Sequence, residues 1–507
     1  MGFMDELIAT RMSDKILFWL DAHLLYYCLS YYMQKKYTAD YYAIIDVPDR
    51  SKKFFEQQKL VNFKKTWFYH DNITKQNKID IDYLESFEKK YSINLWKFAI
   101  NERLFYKYNS FHKFTKNEIL SILEQECKLF ENILSEVNPN YVIMQDSGLH
   151  HGNLFSEICK KNGISVIIIN ISKFGGGCYL SEKIHTIDKL DSLDKIKPRG
   201  RNAEELRALL AKSSLSISLM NYTNETRKSK FALVKAAFQV LLVSSNQNVK
   251  THYSYYGRTK LRVLLTEISY LLKTKIRGNF LDKFGIKKIE DEKFVYLPLH
   301  QEPERSLLLD APFYTNQIET TRNIAKSLPV GYVLYVKEHP TQGRSRGWRP
   351  ISEYKEIMEI PNVKLIHPSI PSDQLIKKSS LVISVGGTAS FEAAFYEKPS
   401  IMFADLGYSI LPSILRVKSF DELHGAILSA LKIKVNLVDV DKYVTALEDI
   451  TFDFDWLGFV RKCHKQFYYD GNLVDIEIDP AVMRKFLIDE KIILEKLADE
   501  HIKKMTN

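Results

Sequence analysis

At 507 residues the chain exceeds what one hydrophobic core usually serves, so two domains are expected. Its 45% hydrophobic and 26% charged content belongs to a folded globular protein and excludes a disordered chain, and the formal charge of +10 is too modest for this length to imply a nucleic-acid partner. Five cysteines (Cys28, Cys127, Cys159, Cys178, Cys463) lack C-x-x-C spacing, which excludes a zinc ribbon and a disulfide framework and fits a reducing, cytoplasmic setting.

The opening MGFMDELIATRMSDKILFWL has no basic region, apolar core and cleavage site in the order of a secretory signal. No stretch reaches the ~18 apolar residues that span a bilayer. In the first half YYAIIDV, PNYVIMQD and GISVIIINIS predict strands, and FTKNEILSILEQECKLFENILSEV has the apolar spacing of a long amphipathic helix. From Arg227 to Lys283 basic residues far outnumber Glu267 and Asp282 and alternate with apolar runs. Such a segment suits an anionic membrane surface, or forms a solvated basic face on its own domain.

The second half alternates more regularly. KFVYLPL, GYVLYVKEHP, NVKLIHP, LVISVGG and PSIMFA predict buried strands, with TNQIETTRNIAKSL, ISEYKEIMEI, SDQLIKKS and TASFEAAFYEK as the helices between them. This alternation implies an α/β fold with parallel sheets covered on both faces. The expected division is residues 1–285 as a first Rossmann-like domain with a basic helical insertion at about 190–285, residues 286–430 as a second, and residues 431–507 as a helical tail across both.

Ligands of such sheets bind beyond the carboxyl ends of the strands, so polar residues there are the candidates. After PNYVIMQD come Asp146, His150 and His151, placed for a general base or for acceptor contacts. A metal on the two histidines is not expected, because adjacent side chains rarely converge and no further ligand is evident. SKFGGGCYL reads as a flexible loop. The D-x-D pairs Asp80/Asp82, Asp439/Asp441 and Asp453/Asp455 read as surface carboxylates, so no metal is expected.

In the second half, YLPLHQEPERSLLL presents His300, Gln301, Glu302 and Glu304 after a strand. YVKEHPTQGRSRGWR does the same with Lys337, Glu338, His339 and Pro340, followed by Arg344, Arg346 and Arg349, cations suited to an anionic ligand. In SVGGTASFEAA, Gly386 and Gly387 give backbone freedom, Thr388 or Ser390 suits a helix cap, and Glu392 lies one turn in. Amides at such a turn form an anion site, although the spacing is neither a Walker loop nor a dinucleotide fingerprint.

The series PLHQEPE, YVKEHP, PNVKLIHP and SVGGTASFEAAFYEKPSIMF, spanning roughly Phe294 to Tyr408, resembles the bacterial capsule polysaccharide biosynthesis family, which includes Kdo transferases. The resemblance implies the glycosyltransferase B fold: two Rossmann-like domains facing a central cleft, with the nucleotide-sugar donor held by the second. It implies that His339, Pro340, Gly387, Thr388, Ser390 and Glu392 surround the nucleotide and phosphate of a CMP-linked acidic sugar, and Lys337 and Gly386, at the same strand ends, are expected to join them. Gln301, Glu302, Arg344, Arg346, His150 and His151 would line the cleft, with His339 and Asp146 as the catalytic pair. This sequence has Gly-Gly-Thr where Thr-Gly-Thr or Ser-Gly-Thr is commoner in the family. The expected function is metal-independent sugar transfer, without a cofactor, to a surface polysaccharide or glycolipid, in the cytoplasm or on the inner membrane surface. The alternatives are a UDP-sugar epimerase of the same fold and a non-catalytic assembly subunit.

Overall fold

The segment KILFWLD buries all five of its central residues, as a strand must when both faces of its sheet are covered. The computed structural model describes residues 13–76, 78–145, 148–173, 176–212, 247–345, 347–471 and 473–506, with residues 212, 344 and 345 at the backbone alone. Its first sheet comprises β1 (Lys15–Asp21), β2 (Asp40–Asp46), β3 (Lys65–Phe68), β4 (Tyr141–Ile143), β5 (Ser165–Ile171) and β6 (Cys178–Ser181) in the order β3-β2-β1-β4-β5-β6. The second comprises β7 (Phe294–Pro298), β8 (Val333–Lys337), β9 (Val363–Ile366), β10 (Leu381–Ser384), β11 (Ser400–Met402) and β12 (Ile414–Arg416) in the order β12-β11-β10-β7-β8-β9. Both orders run outward from the first strand and then restart on its other side, the doubly wound arrangement of a Rossmann-like domain. All pairings are parallel except β5 with β6, an antiparallel edge that strand-helix alternation did not reveal.

The long helix Lys116–Val137 starts at a capping box, in which Thr115 and Glu118 satisfy each other's backbone amides. It buries Leu123, Cys127, Phe130 and Ile133 against one face of the first sheet. The other face is covered by the helix Leu25–Lys36 and by residues from the far end of the chain, among them Phe459, Met483, Leu494 and Leu497. Tyr32 Oη donates to the Leu487 carbonyl and Tyr141 Oη to that of Met505, each at 2.6 Å.

The chain crosses between the domains more often than a cut at residue 285 allows. Leu193 and the helix Ala203–Lys212 belong to the second core through Leu206, and Arg207 donates to the Phe395 carbonyl at 2.9 Å. Tyr253 and Tyr256 return to the first core. The helix Leu437–Ile450 packs into the second through Val440, Tyr443, Val444 and Leu447, and only the helices from Trp456 onward cover the first.

If those last helices are integral to the first domain, Leu494→Ala should cost about 2–5 kcal/mol, because the side chain is fully buried among first-domain residues. Urea unfolding followed by circular dichroism would read this as a lower midpoint; an unchanged midpoint would mark the tail as an appendage.

Candidate functional site

The carboxyl ends of the two sheets meet. Lys107 Nζ and Tyr108 Oη, from a loop of the first domain, reach Glu302 Oε2 at 3.0 and 3.2 Å. Glu302 follows β7, the strand beside which the order of the second sheet reverses, and ligands are held at such points.

Arg349 organises this end of the second sheet. It is 2% exposed, and its Nε bonds Glu338 Oε2 at 2.7 Å, its Nη1 bonds Glu302 Oε1 at 2.6 Å, and its Nη2 bonds the His300 carbonyl at 2.6 Å. Tyr354 Oη donates to the same Glu338 oxygen at 2.9 Å. Burial disfavours the guanidinium charge, but Glu338 and Glu302 outweigh it and hold the group ionised. Burial likewise acts to raise Glu302, while Arg349 and Lys107 hold it down at about 2. Arg349 is therefore committed to the scaffold and is not a cation for a ligand, and Glu302 is a buried link between domains rather than an open cleft-lining carboxylate.

The turn after β10 is tied to this scaffold by His300. Its Nε2 accepts the Gly386 amide at 3.1 Å, so the ring proton lies on Nδ1, 3.1 Å from Glu304 Oε2. A Cβ at Gly386 would lie 3.0 Å from the Ala404 Cβ, which accounts for glycine here. The expected phosphate contact from the Gly386 amide is thus taken up within the protein. Ser390 is also internal: fully buried, with its Oγ 2.7 Å from Ser384 Oγ and 3.3 Å from the Ile401 carbonyl. Thr388 caps the helix Ala389–Phe395 by position only, since its hydroxyl donates to Glu392 Oε1 at 2.7 Å. Thr388, Glu392 and Gly387 are the part of the turn left facing outward.

His339 follows β8, and its Nδ1 accepts the Thr341 amide at 3.3 Å. That contact places the proton of the neutral ring on Nε2, which has no partner among the described residues. Burial depresses the imidazolium below its ordinary value against the pull of Glu304, leaving a neutral N–H donor. Pro340 opens the short helix Pro340–Ser345 directly after it; Thr341 Oγ1, 2.7 Å from the same Nδ1, donates to it and stands 3.1 Å from Gln301 Oε1. Lys337 Nζ, 2.9 Å from Ser372 Oγ, is brought down to about 8 by burial, against Asp373 and Glu392.

The sequence reading missed Lys173. It stands two residues beyond β5 of the first domain, and its Nζ lies 5.1 Å from the Tyr408 ring of the second. Burial brings its ammonium down to about 8, against Glu392 and Glu304. Its position just past a strand end was the available signal. Glu304 itself is held below its ordinary value, because the hydrogen bond from His300 outweighs its burial. Lys173, Lys337, His339, Glu304 and Glu392 therefore form one electrostatic cluster drawn from both domains.

In the first domain His150 and His151 do converge, against expectation, and both are buried. His150 bonds Glu102 through Nδ1 (3.0 Å) and Glu126 through Nε2 (2.9 Å); His151 bonds Asp46 through Nε2 (3.0 Å) and Tyr253 Oη through Nδ1 (3.2 Å). They belong to a core network below the cleft rather than to its lining. Burial opposes the His150 charge, but Glu126 and Glu102 hold it up to about 10. Asp46, also between His151 and His70, is held well below the usual carboxylate range by those two rings in spite of burial.

Asp146, Gly175 and Arg346 lie outside the described residues, as do the Arg344 side chain and the basic segment up to residue 246. The rest of that segment contains the helix Lys260–Phe284, whose Arg277 donates to the Trp348 carbonyl at 2.8 Å. A groove of about 470 Å³ beside it is lined by Ser110, Arg262, Lys273 and Arg277 among others. Leu261, Leu265, Ile268, Leu272 and Ile276 are exposed along the helix, yet no helix among the described residues is long and apolar enough to cross a membrane. Of the D-x-D residues, Asp80 and Asp455 cap helices, while Asp441 is buried 3.2 Å from Arg201 Nε and is not a surface carboxylate.

No protein-family model matches the chain, and no curated protein does. Among solved structures it is similar to a UDP-GlcNAc 2-epimerase from Methanocaldococcus jannaschii in complex with UDP-GlcNAc and UDP, at 13% identity over 86% of this chain and 99% of that one, TM-score 0.25. It is also similar to the β-Kdo 2,7-transferase KpsC of Thermosulfurimonas dismutans, at 11% identity over 62% and 79% of the two chains, TM-score 0.28. A UDP-GlcNAc 2-epimerase from Neisseria meningitidis bound to UDP-GlcNAc aligns at 12% identity over 89% and 98%, TM-score 0.24. With scores this low the likenesses carry no argument of their own, and the fold rests on strand order.

Because Glu302 is ionised down to about 2 in the folded chain, against an ordinary 4.5, its ion pairs contribute fully above pH 4.5 and fade as pH falls toward 2. Glu302→Gln should lower stability at pH 7 and flatten the loss between pH 4.5 and 2 in acid titrations followed by circular dichroism. An unchanged acid limb would remove Glu302 from the scaffold.

Proposed function

We propose that this protein is a metal-independent glycosyltransferase that moves an acidic sugar, Kdo or a relative, from a CMP-linked donor to a surface polysaccharide or glycolipid. The observation that carries this reading is the His339 Nε2–H, which has no partner among the described residues, in one charge cluster with two lysines: Lys173 of the opposite domain acts on Glu304 as His339 does, and on Glu392 as Lys337 does. A donor of this class carries two anionic groups, the phosphate and the sugar carboxylate. Two ammonium groups and a neutral N–H donor, in a site closed by two domains, match that charge without a metal.

In the transfer, the acceptor oxygen bonds the anomeric carbon as the bond from that carbon to the phosphate oxygen breaks. The nucleotide leaves with the bonding pair, and the His339 Nε2–H and the lysines stabilise the charge that develops on it. The acceptor proton passes to a base of the first domain, for which Asp146 after β4 is the proposed group. Glu392, hydrogen-bonded to Thr388, would accept from the ribose hydroxyls, and Gly387 allows close approach of the donor backbone. The exposed apolar and basic residues of the helix Lys260–Phe284 are proposed to hold the enzyme at an anionic membrane surface, where a glycolipid acceptor resides.

Incubation with CMP-, UDP- and GDP-sugars, with and without glycolipid acceptors, should give acceptor-dependent CMP release that persists in EDTA. His339→Ala and Asp146→Asn should each reduce it by at least 10²-fold with the fold intact. Acceptor-independent epimerisation of a UDP-sugar would replace this reading, and absence of nucleotide binding would end both enzyme readings.

The charge on the lysines adds a second expectation. Both ammonium groups are present well below pH 8 and lost as pH rises through about 8, so donor affinity measured by calorimetry should weaken between pH 7 and 9. Lys173→Arg should flatten part of that decline, and an identical profile in the variant would place Lys173 outside the donor site.

A further inference from the structure

Three carboxylates of the first domain, the buried Glu102 and Glu126 and the 16%-exposed Asp46, have histidine partners but no lysine or arginine partner among the described residues. Buried anions without fixed cations are costly. Their geometry is ordered in two layers. In the outer layer, Glu102 holds His150 Nδ1 and Asp46 holds His151 Nε2, each at 3.0 Å. In the inner layer, the opposite nitrogens, His150 Nε2 and His151 Nδ1, turn toward Glu126 and the Tyr253 oxygen.

We propose that this inner layer is a site for one divalent transition ion of the zinc class, held by His150 Nε2, His151 Nδ1, the Glu126 carboxylate and Tyr253 Oη. One donor atom from each of His150, His151 and Glu126 lies within 4.8 Å of the other two. Tyr253 Oη is 3.2 Å from both His151 Nδ1 and Glu126 Oε1, and His150 Nε2 is 2.9 Å from Glu126 Oε1. Ligands ~2.1 Å from a tetrahedral ion stand roughly 3.4 Å apart, so small side-chain shifts suffice. The donor set of two imidazoles, a carboxylate and a phenol suits zinc or cobalt better than calcium or magnesium.

A carboxylate on the far nitrogen of each ligating histidine fixes its tautomer and raises its basicity, which is what Glu102 and Asp46 do here. Occupation would release the proton that His150 shares with its carboxylates and put two positive charges among three negative ones. Tyr69, 2.7 Å from Tyr253 Oη and hydrogen-bonded to Glu126, would support both ligands. The site lies in the core below the cleft, apart from the Lys173 and His339 cluster, so its role is to fix the floor of the first domain. Sugar transfer without metal chemistry at the phosphate is compatible with it.

The test uses the full chain, stripped with a chelator that is then removed, and Zn²⁺ or Co²⁺ alone as probe. One equivalent should bind, raising the thermal midpoint, and Co²⁺ should give a visible d–d absorption band. Glu126→Gln and the paired change His150→Gln with His151→Gln should abolish that band. Asp46→Asn should weaken affinity about 10–100-fold while the inner ligands stay in place. Circular dichroism checks that each variant folds. A folded wild-type chain that takes up no equivalent of either ion, or variants that bind as well as it does, would overturn the proposal and leave the cluster as a protonated histidine network. The readout is metal content rather than turnover, so it stands or falls apart from the transferase reading.

Discussion

A guanidinium taken out of water must be surrounded by acceptors, and that requirement at Arg349 sets the geometry of the second domain's ligand face. Its three donors fall on Glu338 after β8, Glu302 after β7 and the carbonyl of His300. His300 then carries the constraint to the turn after β10 through the Gly386 amide. Three loops that would otherwise move separately are fixed to one planar group. Lysine could supply the charge but not the fork of fixed directions.

The same constraint explains which residues were legible in the sequence. HQEPE, KEHP and GGTAS stood out because polar residues cluster where buried strands end, and the structure does bring them together. Their division of labour was not legible, since it depends on which nitrogen faces which loop. His300, Arg349, Ser390 and Gly386 turn inward to hold the frame, while His339, Thr388 and Glu392 are left partly exposed and Lys337 stays buried against Ser372. Composition and spacing cannot separate a histidine that braces a turn from one that offers its N–H.

Elements of the fold were missed for equally physical reasons. β1 is followed closely by the apolar helix Leu25–Lys36, so its period merges with that of the helix. β12 has only three residues, and its exposed Arg416 blurs the run. Lys173 escaped because a single lysine past a strand has no pattern, and its neighbours in space, Glu304, Glu392 and Tyr408, lie more than a hundred residues away in the chain. The convergence of His150 and His151 was likewise invisible, because Glu126 and Tyr253 come from distant segments.

The return of the chain's end to its beginning bears on synthesis. One face of the first sheet is sealed by residues beyond 452, and Tyr32 bonds a carbonyl 455 residues downstream. While the ribosome works through the second domain, that face stays bare, with Tyr32 and Met33 lacking their final neighbours. The second domain can close around β7 to β12 earlier, whereas the first must wait for the residues beyond 452. Of the two domains, the one whose strands come earlier in the chain is thus the later to mature, and its apolar face stays open while the other is being made.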